Sequence, residues 1–172
     1  MPSSIHPARI VTVATLITST YWLVAAGGEI PNRSQTEAVT QAPGDPCSLL
    51  TKQDAATALG EAVSAPKALA DLPAGPGATV SSCEYSGSGL HKVQLTLTRL
   101  SPSAAPMYRA MCAEKGKEGL AGLGDVACWY NEKHEELHAL KGATFLSVEL
   151  RRSGDPTEAI KSVMKGALDR LR

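Results

Sequence analysis

The sequence predicts an α+β fold, an antiparallel sheet with helices packed on one face, with the suggestion of two similar halves. Three observations carry this. Val93, Leu95 and Leu97 alternate with Gln94, Thr96 and Thr98, and Leu146, Val148 and Leu150 alternate with Ser147 and Glu149; a period of two marks strands with one dry and one wet face. Near the C-terminus Ile160, Val163, Met164, Ala167, Leu168 and Leu171 recur at the helical period and form one apolar stripe. Finally, C-E-Y at 83–85, a strand and a helix are echoed by C-W-Y at 128–130, a strand and a helix, an order that packs as helices against an antiparallel sheet.

The chain opens with a segment that does not belong to this domain. Residues 1–9 are short and mildly basic, and residues 10–26 carry no charge, the layout of an export signal. Val24-Ala25-Ala26 places slim side chains before a cleavage point, so residues 1–26 are expected to be removed after Ala26. The alternative is an uncleaved anchor, the one route by which this chain would hold a membrane, and a stretch this short with several Thr and Ser is a weak span. Residues 27–45, polar with Pro and Gly, read as a flexible linker, and contain the sequon Asn32-Arg33-Ser34, which matters only in a eukaryotic host. Residues 46–172 are then long enough for a single α+β domain.

Within that domain Thr51 caps a first helix with Asp54 three positions on, and Gly60 ends it. A Pro-, Gly- and Ala-rich loop is expected to about Ala78, then a strand over residues 80–86, a turn at Gly87-Ser88-Gly89 and the alternating strand that ends at Leu100. Ser101-Pro102 opens a second helix carrying Met107, Met111 and Cys112 that stops near Gly116. Residues 119–125 read as a turn in which Gly122 or Gly124 takes positive φ; their spacing is not that of a dinucleotide loop, and a strand follows them. Residues 125–130 are extended, with Trp129 in the core. The last helix takes Asp155 as its cap, Pro156 as its first residue and Glu158 to complete a capping box.

Composition narrows the function. The chain carries 17 Lys and Arg against 17 Asp and Glu, and loss of residues 1–26 removes Arg9 and no acid, leaving 16 against 17. A near-neutral domain lacks the positive charge that phosphate backbones require, so nucleic acid is not an expected partner. Aromatic residues are 4% of the chain, too few for a stacking platform. All four cysteines, Cys47, Cys83, Cys112 and Cys128, follow the signal segment; an even count in an exported chain reads as two disulfides, with three pairings open. None is spaced C-x-x-C, which argues against a redox pair or a zinc ribbon. Ser82, Ser86 and Ser88 lie in no G-x-S-x-G elbow, and no cofactor is implied.

The segment His134-Glu135-Glu136-Leu137-His138 matches H-E-x-x-H. On a helix, His134 and His138 would share one face and one Zn²⁺, Glu135 would polarise the bound water, and Glu158, 20 residues past His138, would supply a third ligand. This defines the alternative function, a secreted zinc-dependent hydrolase. Against it stand the charged flanks Glu132, Lys133 and Glu136 and the pattern that follows: residues 137–140 and 144–146 read as a hairpin. Histidines four apart on a strand are about 13 Å apart and cannot share an ion. Residues 133–136 are therefore expected in a solvated loop or strand end, with either histidine replaceable at a cost within about 0.5 kcal/mol.

Four segments, D-P-C-S-L-L-T at 45–51, C-E-Y at 83–85, G-L-G-D-V-A-C-W-Y at 122–130 and L-H-A-L-K-G at 137–142, together resemble a domain of unknown function found in exported actinobacterial proteins, many of them lipoproteins. The resemblance covers residues 45–172. It implies a disulfide between Cys47 and Cys83, which leaves Cys112 with Cys128, and it places L-H-A-L-K-G on a strand. The chain departs from the pattern in having no lipid-attachment cysteine, and H-E-E-L-H is not a hallmark of the family. The resemblance implies a periplasmic, cell-envelope or secreted protein without an established activity. The expected function is accordingly a non-catalytic exported domain binding an envelope protein or a small ligand, with a structural or chaperone-like envelope component as a further alternative.

Overall fold

The two period-two stretches lie side by side at the centre of the sheet. In the computed structural model, which describes residues 44–113 and 120–171, the elements run α1 (Pro46–Leu49), α2 (Lys52–Leu59), β1 (Lys67–Pro73), β2 (Ala78–Ser86), β3 (Lys92–Leu100), α3 (Ala105–Ala113), β4 (Val126–Trp129), β5 (Glu136–Lys141), β6 (Thr144–Arg151) and α4 (Thr157–Arg170). The expected signal segment, its cleavage point and residues 27–43 of the linker lie outside the described residues. The strands form one six-stranded sheet in the order β1-β2-β3-β6-β5-β4, antiparallel throughout. The fold is α+β.

Register divides the chemistry. Val93 pairs with Leu150, Leu95 with Val148 and Leu97 with Leu146 across β3 and β6, and all six are essentially without exposure. They share a face with Cys83 and Tyr85 of β2, Leu137 and Ala139 of β5, and Ala127 and Trp129 of β4, and this face forms the main core with residues of α1, α2 and α4. Each fully buried Leu, Ile or Val contributes roughly 1.5–3 kcal/mol. The helix stripe read from the sequence is the stripe that is buried: Ile160, Val163, Met164, Ala167 and Leu168 of α4. Trp129 is in the core and Tyr130 is half exposed.

Local signals account for the helix ends. The Thr51 hydroxyl accepts from the Asp54 N–H while the Asp54 carboxylate accepts from the Thr51 N–H, and Gly60 closes α2 at φ 72°. Burial raises the Asp54 pKa, but the hydrogen bonds from Thr51 and Arg170 outweigh it and leave the carboxyl below its ordinary value. Arg170 also donates to the Leu49 carbonyl (2.7 Å), so the end of α4 is tied to α1 and α2. Lys141 donates to the carbonyls of Leu168 and Leu171, a cation on the negative end of the helix dipole.

The structure departs from the sequence reading at four points. First, β1 lies in the segment expected to be loop; K-A-L-A-D-L-P has no β-branched residue, and all seven positions are exposed, so neither propensity nor alternation marks it. It is an edge strand with a register shift between Leu69 and Leu72 and a Pro at its end, features that suit edges. Second, α3 packs on the face opposite α1, α2 and α4. There Leu100, Leu140 and Phe145 meet Tyr108 and Met111, leaving Met107 largely exposed. Third, α4 starts at Thr157, with Pro156 as its N-cap and not as its first residue; Asp155, one position further out, accepts from the Thr157 N–H (2.9 Å), and Glu158 pairs with Lys161 (2.9 Å) and closes no capping box. Fourth, C-W-Y begins in outermost β4 and C-E-Y lies in second-row β2, so the two do not correspond; the likeness between halves is the succession of three strands and a helix.

The disulfides join Cys47 to Cys83 and Cys112 to Cys128. The first links α1 to β2 through the helix-covered core; the second links α3 to β4 on the other face. Closing loops of 36 and 16 residues stabilises by about 3–4 kcal/mol each if the effect is taken as loss of unfolded-chain entropy.

Gly122 and Gly124 both take positive φ, +83° and +69°. A Cβ at Gly122 meets nothing within 4 Å, whereas one at Gly124 would lie 2.5 Å from the Leu140 carbonyl oxygen. Gly122→Ala is expected to cost about 1 kcal/mol, from conformation alone. Gly124→Ala should cost at least about 2 kcal/mol, because β5 backbone cannot move aside cheaply. Urea denaturation of the two variants checks this; equal losses would contradict it.

Candidate functional site

The H-E-x-x-H residues are not on a helix. His134 lies in the turn before β5 at φ 55°, the one non-glycine residue with positive φ among those described. Its ring stacks on Trp129 (centroids 4.4 Å) and its Nδ1 lies 3.3 Å from the Thr157 hydroxyl, on the helix-covered side. His138 is on β5 and points to the opposite face, between Tyr130 and Phe145. The Glu135 backbone bonds Asn131 and Leu150, and Glu158 is 85% exposed beside Lys161. The sheet therefore separates the two imidazoles that a zinc site needs together. No group of three His, Cys, Asp or Glu is placed to hold a metal among the described residues.

His138 is also not at the surface, contrary to the expectation for both histidines: it is 5% exposed. Its Nε2–H donates to Glu136 Oε1 (2.7 Å), and the same oxygen accepts from the Ser147 hydroxyl (2.8 Å). The bond from His138, with help from Ser147, holds the Glu136 carboxyl below its ordinary value despite partial burial. His138 Nδ1 is buried without a hydrogen-bond partner among the described residues.

These residues belong to a larger polar field. On the face that carries α3, the helix covers the end of the sheet holding Leu100, Phe145 and Leu140. Towards the other end, register aligns Ser82, Thr96, Ser147 and His138 in one row across β2, β3, β6 and β5, and Glu84, Gln94, Glu149 and Glu136 in the next. Most are half-buried. Lys92 lies 3.5 Å from Glu84 and 3.4 Å from Glu149, and Arg151 Nε lies 2.6 Å from Glu149. Charges on this open face are thus largely compensated in pairs.

Two clefts lie where these strands end. The first, about 420 Å³, is lined by Ser86, Gly89, Leu90, His91, Lys92, Arg151, Arg152 and Ser153. The second, about 400 Å³, shares Arg151 and Arg152 and adds Asn131, Glu135, Glu136 and Glu149. Beside the first, a relay of hydrogen bonds runs from the turn after α2 to the β6–α4 connection. Glu61 accepts from the Ser88 N–H (3.0 Å), the Ser88 hydroxyl (2.6 Å) and His91 Nδ1 (2.8 Å), and His91 Nε2 meets the Ser153 hydroxyl (3.1 Å). The bond from the Ser88 hydroxyl, then those from His91 and the Ser88 N–H, lower the Glu61 carboxyl to about 2. Both clefts draw on residues far apart in the chain, and no motif announced them.

No protein-family model, curated protein or solved structure matches the chain.

Two outcomes follow from this geometry. His138→Ala should destabilise the protein by about 2–3 kcal/mol, as expected for truncating a buried, packed side chain, and His134→Ala by no more than about 1 kcal/mol; chemical denaturation separates them, while metal analysis of native protein should find no stoichiometric zinc. For Glu61 the sign is set by its depressed pKa: the ionised carboxylate stabilises the folded state fully above the ordinary value of 4.5, and this contribution is lost as pH falls through about 2. A carboxyl ¹³C titration should place its midpoint near 2, and Glu61→Gln should remove the corresponding part of the acid dependence of stability.

Proposed function

We propose that this chain is an exported, non-catalytic binding domain of the bacterial cell envelope or its surroundings, which takes a small ligand or a protein on the open face of its sheet and in the clefts at the strand ends. The observation that carries the reading is the uneven cover of that face: α3 shields the apolar end, while the remainder is surfaced by polar side chains already bonded to one another and bordered by clefts of small-molecule size. Pre-paired groups lose little freedom on binding. Two disulfides belong to an oxidising compartment, which supports export, as does the signal-like layout of residues 1–26. The resemblance to exported actinobacterial domains agrees with this. No helix among the described residues is long and apolar enough to cross a membrane. The separation of His134 from His138 leaves the zinc hydrolase without a supporting observation.

The test uses the protein in its own host. The exported chain should begin at Gly27 and contain no free thiol. A photocrosslinking residue in place of Gln94, at the middle of the open face, should give discrete adducts, while one in place of Thr57, on α2, should not. Retention in the cytoplasm with reduced cysteines, or equal adducts from both positions, would overturn the reading.

A further inference from the structure

We infer that the cleft between the β2–β3 hairpin and the β6–α4 connection binds a small organic anion, a carboxylate or phosphate carried on an apolar group. This rests on the binding-domain reading and names the ligand class of one of its clefts.

The lining sets the charge. Lys92, Arg151 and Arg152 border the cleft with His91, the hydroxyls of Ser86 and Ser153 and the backbone at Gly89, and no carboxylate lines it. Arg152 is anchored differently from the other two cations. Its Nη1 donates to the Ala58 carbonyl (2.6 Å) and its Nε to the Ser153 carbonyl (3.2 Å), and no carboxylate lies within ion-pair distance of it among the described residues. Its hydrogen bonds go to neutral acceptors, and the Asp155 carboxylate acts on it only at longer range, so its charge is partly offset but not closed in an ion pair, which leaves it able to capture a carboxylate or phosphate.

The other two cations can contribute without rebuilding the face. Lys92 holds Glu84 and Glu149 only loosely, at 3.5 and 3.4 Å. Arg151 binds Glu149 through Nε alone, which leaves the outer edge of its guanidinium for an anion. On the far side of the arginines, Glu135, Glu136 and Glu149 line the neighbouring cleft and repel a second negative charge, so the anionic group is confined to the His91 side.

The apolar part follows from Leu90. It is 90% exposed at the hairpin tip, and it lines the cleft. The loop that presents it is not loose, because Glu61 fastens Ser88 and His91 on either side. A bare inorganic anion would leave this side chain uncovered. At about 420 Å³ the cleft suits a small molecule.

The experiment is a titration of the ¹⁵N-labelled exported protein, disulfides intact, with octyl phosphate, octanoate, inorganic phosphate and octyl glucoside. Octyl phosphate and octanoate should shift the amides of Gly89, Leu90, Lys92 and Ser153 saturably, and bind at least tenfold more tightly than inorganic phosphate or the neutral glucoside. Lys92→Gln combined with Arg151→Gln should weaken both by at least tenfold. Leu90→Ser, at a position too exposed to threaten folding, should weaken octyl phosphate severalfold and leave inorganic phosphate unchanged. Sedimentation with phosphatidic acid vesicles assigns the source: co-sedimentation means a lipid headgroup, and binding of the monomeric probes alone means a free ligand. Equal binding of octyl glucoside, unchanged binding by the double variant, or no saturable shift at the cleft would overturn the inference. If Gln94 adducts persist in that case, only the ligand class fails; if they too are absent, the binding-domain reading fails with it.

Discussion

The antiparallel pairing of β3 with β6 is the constraint on which the remaining structure depends. Val93, Leu95 and Leu97 stand opposite Leu150, Val148 and Leu146, and a slip of either strand by one residue would turn its three buried aliphatic side chains to the other face. Because that register is costly to change, it also settles where the polar residues between them go. Gln94, Thr96, Ser147 and Glu149 are committed to the second face, and β2 and β5 extend the same division outwards to Ser82, Glu84, Glu136 and His138. The polar field is in this sense a by-product of the core.

What distinguishes the second face is that it is only partly dry. Where Leu100, Phe145 and Leu140 continue the apolar surface, α3 covers it, with Tyr108 against Phe145 at 4.8 Å. Where Thr96, Ser147 and the glutamates take over, a helix would have to bury groups that are better served by water or by each other. His138 sits at the boundary: its edge packs on Phe145 and its Nε2–H serves Glu136. The clefts lie at the edge of this field, where Glu136, Glu149, Lys92 and Arg151 at the strand ends meet side chains from the neighbouring loops.

Legibility in the sequence tracked the range of the interactions involved. Elements determined by neighbours in sequence could be read: the Thr51 and Asp54 capping box, Gly60, the stripe of α4, and the alternation of β3 and β6. The hairpin between β5 and β6 was also legible, and Gly142 at φ 61° begins its two-residue turn, the glycine position of a type II′ turn. β1 was not legible, because an edge strand exposed at every position needs no pattern. The side chosen by α3 was hidden as well, since Tyr108 and Met111 identify an apolar helix face and say nothing about which surface of the sheet receives it. H-E-x-x-H was ambiguous for a related reason. A spacing of four keeps two residues on one side of a helix and of a strand alike, and only the left-handed turn at His134 separates them. The cleft was beyond sequence reasoning, because Glu61, His91 and Arg152 become neighbours only through the sheet. The disulfide pairing came from the family resemblance; four cysteines alone left it open.

That pairing gives the sheet a further role. Cys47 and Cys83 meet on one side of it and Cys112 and Cys128 on the other, and all four sulfurs are shielded from solvent. Thiol–disulfide exchange requires a thiolate to reach the sulfur it attacks. Once the strands have paired, the sheet is a partition between two isolated compartments of sulfur chemistry, and a cysteine from one cannot attack a bridge in the other without the strands parting. In the folded chain, exchange among the three possible pairings therefore requires the strands to separate.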